Sequence, residues 1–211
     1  ESTKYLNLAN NLKLGLNPSN SDTLINKSNA LIVESDKKEI KKIEQTNFPE
    51  SIFIVGMPRS GSTLVESIVS INPNINDLGE INILEESFLK RKNNVQESPL
   101  AVLYWNKVTK HTSQLKSITN KWLYNYQYAG IICSQIPNAK IIHCYRNPLD
   151  NILSIYRANF SKGNQYSSSL VDCAKVYLDQ EKIMSKYKNI FRSTIYDLNY
   201  DSLVRNPNKE I

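Results

Sequence analysis

Ser51-Ile52-Phe53-Ile54-Val55-Gly56-Met57-Pro58-Arg59-Ser60-Gly61-Ser62-Thr63 opens with a continuous apolar run, Ile52 to Val55, and closes on a cluster of hydroxyl residues. Such a run is what a strand shows when both of its faces are covered. From Ser62 to Ile71 the apolar residues Leu64, Val65, Ile68 and Val69 recur at helical spacing, and Pro73 stops the element. The segment therefore reads strand, loop, helix. The loop has the spacing G-x-x-x-x-G, which lets the backbone curl until successive N–H groups point inward, and the helix start beyond it adds a dipole favourable to an anion. That is a phosphate site. A nucleoside triphosphatase needs a lysine directly after the second glycine to reach the β and γ phosphates, and Ser62 stands there. The cationic role passes to Arg59 inside the loop, whose planar guanidinium can bind a phosphate or sulfate through two hydrogen bonds.

Outward from this segment the pattern repeats. Ala139 to Cys144, with Ile141 and Ile142, reads as a second strand, Arg146-Asn147-Pro148 as its turn, and Leu149 to Asn159 as a helix. Tyr124 to Ile136 reads as a helix ended by Pro137, Ser169 to Tyr187 as the longest helix, and Thr194 to Leu198 as a third strand. Strands alternating with helices require right-handed crossovers between parallel strands. The predicted fold is α/β, a P-loop-type three-layer sandwich with a central parallel sheet flanked by helices. Residues 1–50 read as a helical N-terminal appendage, because their apolar positions suit short helices parted by the turn Asn17-Pro18-Ser19-Asn20. Residues 51–211 form the P-loop-type domain.

The composition narrows the partners. Lys and Arg outnumber Asp and Glu by 26 to 20, so anionic ligands are favoured. The basic runs Lys37 to Lys42, Lys90 to Lys92 and Lys182 to Lys188 are scattered, with no arginine-rich arm or basic-aromatic interleave, and they read as solvated helix faces rather than a nucleic-acid surface. Cys133, Cys144 and Cys173 form an odd set without a CxxC pair, which fits buried thiols in a reducing compartment and neither a disulfide framework nor a zinc site. His111 and His143 have no metal-ligand spacing, and no metal is expected. No stretch approaches the roughly 20 apolar residues of a membrane span. A bacterial cytoplasmic location is expected.

The loop Gly56 to Thr63, with Arg59 in it, resembles the 5′-phosphosulfate loop of sulfotransferases. Cys144 to Tyr156 is similar to the 3′-phosphate segment of the same family, in which an arginine after the strand and a serine eight positions on clamp the phosphate; those are Arg146 and Ser154 here. Ile54 to Gly61, Leu78-Gly79-Glu80, Ile141-Ile142-His143-Cys144 and Tyr200-Asp201-Ser202-Leu203-Val204 resemble bacterial sulfotransferases often fused to tetratricopeptide repeats, themselves similar to tyrosylprotein sulfotransferases. The helix pair of residues 1–50 resembles one tetratricopeptide unit. The resemblance covers about residues 50 to 208 and implies 3′-phosphoadenosine 5′-phosphosulfate (PAPS) as sulfuryl donor, held by Arg59, Ser60, Gly61, Ser62, Thr63, Arg146, Ser154 and Tyr200. It implies Glu80 as general base, with Glu85 and Glu86 as substitutes, and burial would raise its basicity. It implies Lys121 beside the bridging oxygen that gains charge in the transition state. Asn120 and Trp122-Leu123 depart from the Asp-Lys-Met-Pro-like pattern there, and an exposed lysine on a helix end is the competing expectation. Relatives continue past the Tyr200 segment with more helix and a loop over the nucleotide, so a fragment, a naturally short homologue and a protein whose activity needs another chain are the three expectations.

The function expected is transfer of the PAPS sulfuryl group to a hydroxyl acceptor, whether protein tyrosine, carbohydrate or small molecule, by in-line displacement. An atypical P-loop nucleotide kinase and a non-catalytic nucleotide- or protein-binding module are the alternatives.

Overall fold

Two helices come first, α1 (Ser2–Leu16) and α2 (Ser21–Asp36), parted by the predicted turn. The computed structural model describes residues 1–36, 48–93, 98–112, 117–160 and 163–210; the basic run Lys37 to Lys42 lies outside them. After β1 (Ser51–Gly56) follow α3 (Ser62–Val69), β2 (Ile75–Asp77), α4 (Ile83–Asn93), α5 (Leu100–Val108) and β3 (Ser117–Asn120). A 3₁₀ turn at Leu123–Tyr128 runs into α6 (Ala129–Gln135), and then come β4 (Ala139–Tyr145) and α7 (Pro148–Arg157). The chain finishes with α8 (Leu170–Ile190), β5 (Ile195–Asn199), α9 (Tyr200–Arg205) and α10 (Pro207–Glu210).

All neighbouring strands pair in parallel, in the order β2-β3-β1-β4-β5. Side chains alternate across a strand, so β1 sends Phe53 and Val55 into one core with Ile118, Ile131 and Ile141, and Ile54 into another with Val65, Cys144 and Leu198. Burial on both faces is why the run Ile52 to Val55 carries no polar residue. The result is a central parallel sheet with helices on each side, as the alternation of elements predicts.

Five strands are present among the described residues where three were read from the sequence. The two additions, β2 and β3, are three and four residues long and built mostly of Asn, Asp, Ser and Thr, which leaves no apolar alternation to read. The predicted helix Tyr124 to Ile136 is divided into the 3₁₀ turn and α6.

Polar bonds fasten the helix pair to the sheet domain. Asn10 Nδ2 donates to the Tyr156 carbonyl at 3.0 Å, and Gln127 Nε2 donates to the Leu24 carbonyl at 3.0 Å and to Ser28 Oγ at 2.9 Å. Leu8, Leu12 and Leu16 of α1 face outward rather than into a core.

The topology fixes where a ligand belongs. From β1 the chain first fills one side of the sheet with β2 and β3 and then crosses to the other side for β4 and β5, and the crevice outside the carboxyl ends of the strands at such a switch point is the usual binding place in open α/β sheets.

Candidate functional site

Each strand delivers one predicted residue to that crevice. Arg59 follows β1, Glu80 follows β2, Lys121 follows β3, Arg146 follows β4 and Tyr200 follows β5.

The loop after β1 is shaped by two glycines. At Gly56 (φ +146°) a Cβ would overlap the Cys144 carbonyl oxygen, and at Gly61 (φ +90°) it would overlap the ring of Tyr200. Both positions therefore need glycine for space as well as for backbone conformation. Arg59 itself is left-handed at φ +66°, a strained setting for a residue with a side chain. Ser60 is buried, and its Oγ has no hydrogen-bond partner among the described residues. An orphaned hydroxyl inside a phosphate loop fits an anion that supplies the missing acceptor.

Beside the loop lies a cavity of about 390 Å³ lined by Arg59, Arg146, Asp150, Ser154 and Arg157 among others. The turn after β4 is set by Asn147, whose Oδ1 caps α7 by accepting from Leu149 N at 3.0 Å and Asp150 N at 3.3 Å. Arg146 stands over the Tyr200 ring at 5.1 Å, with Asp201 Oδ1 3.9 Å from its Nε. That separation is too long for a hydrogen bond, and the buried Nε has no hydrogen-bond partner among the described residues. Arg59 Nε donates to Ser154 Oγ at 3.4 Å, joining the two predicted phosphate sites.

The other side of Arg59 opens into a cavity of about 490 Å³ that includes Ser62, Thr63, Glu80, Lys121, Trp122, Tyr124 and Phe160 in its lining. Lys121 is buried directly after a strand, so the exposed lysine on a helix end is overturned. Its Nζ lies 2.8 Å from Glu66 Oε2, 3.3 Å from Thr63 Oγ1 and 3.4 Å from Glu80 Oε1. Burial works against the charged lysine, but the bonds to Glu66 and then Glu80 outweigh it and hold its pKa above the ordinary lysine value. Burial pushes the Glu66 carboxyl above its ordinary range; Lys121 opposes this and neighbouring Asp77 adds to it. The Glu80 side chain is 64% exposed, so the burial expected to raise its basicity is absent. Of its substitutes, Glu85 lines the same cavity in an ion pair with Lys27, and Glu86 pairs with Lys107.

Some of this was missed in the sequence. Arg157 lies three residues after Ser154 on one helix face, a spacing that signals shared facing. Glu66 carries no such signal, since its partner Lys121 is 55 residues away. Leu24 and Lys27 of α2 also line the larger cavity, although they belong to the predicted appendage. His143 is a buried strand residue, as expected, but the fold brings it an acid: its Nδ1 is 2.8 Å from Asp197 Oδ1. No helix among the described residues is long and apolar enough to cross a membrane.

A sulfotransferase-family model matches residues 49–99 and 82–211. An uncharacterized protein of Aquifex aeolicus is 30% identical over 183 residues, covering 76% of this chain and 24% of that protein. The chain thus spans about a quarter of the length of that relative. Among solved structures, the sulfotransferase STF1 of Mycobacterium tuberculosis superposes with a TM-score of 0.50 at 11% identity, over 88% of this chain and 69% of that one. Sulfotransferase STF9 of Mycobacterium avium gives a TM-score of 0.50 at 12% identity, over 86% and 65%. At such identities the two structures establish the shared fold.

Proposed function

The chain belongs to the sulfotransferase family, and from that premise we propose that it transfers the sulfuryl group of PAPS to a hydroxyl acceptor. The observation that carries this is the delivery of Arg59, Glu80, Lys121, Arg146 and Tyr200, one from the end of each strand, to one crevice. Ser60 Oγ and Arg146 Nε, which have no hydrogen-bond partner among the described residues, favour a ligand phosphorylated at both its 5′ and 3′ positions.

In this reading the Gly56–Thr63 loop and Arg59 hold the 5′-phosphosulfate, Arg146, Ser154 and Arg157 the 3′-phosphate, and Tyr200 packs between the two sites. PAPS supplies a sulfur that the acceptor oxygen can attack in line. The acceptor O–S bond forms as the bond from sulfur to the 5′-phosphate oxygen breaks, and that oxygen leaves with the electron pair. Glu80 accepts the hydroxyl proton, and Lys121 neutralises the leaving oxygen. Trp122, Tyr124 and Phe160 give the acceptor cavity the flat apolar walls that suit a ring bearing the hydroxyl.

Calorimetric titration with adenosine 3′,5′-bisphosphate, set beside ATP with magnesium, tests this. The bisphosphate is expected to bind tightly and without metal. Indifference to it, or a preference for magnesium-ATP, would sink the proposal in favour of a kinase.

A further inference from the structure

Glu66 lies on α3 one turn beyond Ser62, and no predicted role includes it. The ammonium of Lys121 has three N–H groups, and Glu66, Thr63 and Glu80 supply three acceptors at 2.8, 3.3 and 3.4 Å. Thr63 accepts its hydrogen bond and the two carboxylates crowd it as ion-pair partners, so an arriving anion has to displace one of them. Of the two carboxylates, exposure decides which. The Glu66 side chain is 8% exposed and that of Glu80 64%. Separating Glu66 from Lys121 would strand two buried charges, whereas water can take over Glu80.

We infer that Glu66 is a positioning residue that keeps Lys121 fixed at the loop while Lys121 exchanges Glu80 for a phosphate oxygen of the donor. The inference rests on the sulfuryl-transfer reading of the same crevice. Its consequence is an order of events. Before the donor arrives, the Glu80 carboxylate is held by Lys121. Once the donor is seated, Glu80 is released toward the acceptor. A charge held by a buried partner and lent to an exposed one thus ties proton removal to donor occupancy.

Adenosine 3′,5′-bisphosphate is the probe, because it keeps the 5′-phosphate oxygen that Lys121 would take and needs no acceptor. Its affinity is measured by calorimetry for wild type, Glu66→Gln, Glu80→Gln and each change combined with Lys121→Ala. Glu80→Gln is expected to tighten binding several-fold, since the competing carboxylate is gone, and Glu66→Gln to weaken it roughly tenfold. Both effects should vanish, to within about a factor of two, in the Lys121→Ala background. A merely structural Glu66 would weaken binding equally with and without Lys121, and that result overturns the inference. So does a Glu80→Gln protein that binds no tighter than wild type. Should Glu66→Gln not fold, Glu66→Asp carries the test: its withdrawn carboxylate must weaken binding several-fold, again only when Lys121 is present. If wild type itself ignores the bisphosphate, the sulfuryl-transfer reading fails and the inference with it; if wild type binds but the couplings are missing, only the inference fails.

Discussion

At one end of the crevice Arg59, Arg146 and Arg157 border an open cavity, and the carboxylate paired with Arg146, Asp201, stands 3.9 Å away. At the other end Lys121 is enclosed, with Glu66 at 2.8 Å and Glu80 at 3.4 Å. In the proposed reading the arginines receive charge from a ligand. The lysine is already neutralised by the protein and must exchange partners to act. The two ends should therefore answer differently to mutation: the arginine end through affinity, the lysine end through turnover together with the smaller affinity changes that the exchange of partners brings.

The sharpest break comes from Glu80→Gln. An amide cannot take the hydroxyl proton, so turnover with an identified acceptor should fall by about 10²–10⁴. Bisphosphate binding should not weaken. Wild-type turnover in this variant would remove Glu80 from the mechanism and leave Glu85, which lines the same cavity.

Arg146→Ala attacks the opposite end. Removing a guanidinium that lacks a full set of protein partners deletes the charge a 3′-phosphate would meet, and bisphosphate affinity should drop roughly ten- to a hundredfold. The affinity for 5′-AMP, which has no 3′-phosphate, should change little. Equal losses for the two ligands in calorimetry would mean that Arg146 shapes the pocket rather than holding the phosphate.

The glycine-spaced loop with Arg59 could be read from local pattern, whereas Arg146, Ser154, Glu80 and Lys121 were named only through a family resemblance, and the surroundings of Lys121 could not be read from the sequence at all. The parallel sheet was legible from local pattern too, since β1 and β4 are apolar runs buried on both faces. Lys121 depends on β3, whose four residues carry too little apolar pattern to be read as a strand. Glu66 looks like a polar position on an amphipathic helix, and its meaning comes from a partner 55 residues away. Exposure is also a tertiary property, which is why the burial expected of Glu80 was not found.

Gly61→Ala tests the joint between the ends. The new Cβ would meet the Tyr200 ring, and the backbone stands at φ +90°. The strain should cost about 1–3 kcal/mol, read as a lower Tm, and it should be relieved in part by combining it with Tyr200→Ala. Relief would show that loop and ring are packed as one unit under Arg146; a double variant no more stable than Gly61→Ala would assign the whole cost to the backbone.

The smallest effect is expected outside the crevice, and it calibrates the others. Asp197 accepts from buried His143 and from Lys188 Nζ, the latter at 2.8 Å. Burial raises its pKa, but His143 first and then Lys188 outweigh that and leave it below the ordinary 3.8. A carboxyl with a lowered folded pKa contributes stability above the unfolded value, and that contribution disappears as pH falls through 3.8 and the lowered pKa. In Asp197→Asn the amide oxygen can still accept from His143, but the amide nitrogen cannot accept from Lys188, so the charge and the Lys188 hydrogen bond are lost. The Asp197 side chain is 39% exposed, and solvent screening keeps the loss below about 1 kcal/mol at neutral pH, a fall in Tm of a few degrees at most for a chain of this size. The two proteins should converge on acidification below 3.8. Bisphosphate affinity should be unchanged, because Asp197 touches neither end of the crevice. A change in that affinity would mean that ion pairs along β4 and β5 are felt at Arg146 and Tyr200, and that the two ends are less independent than their geometry implies.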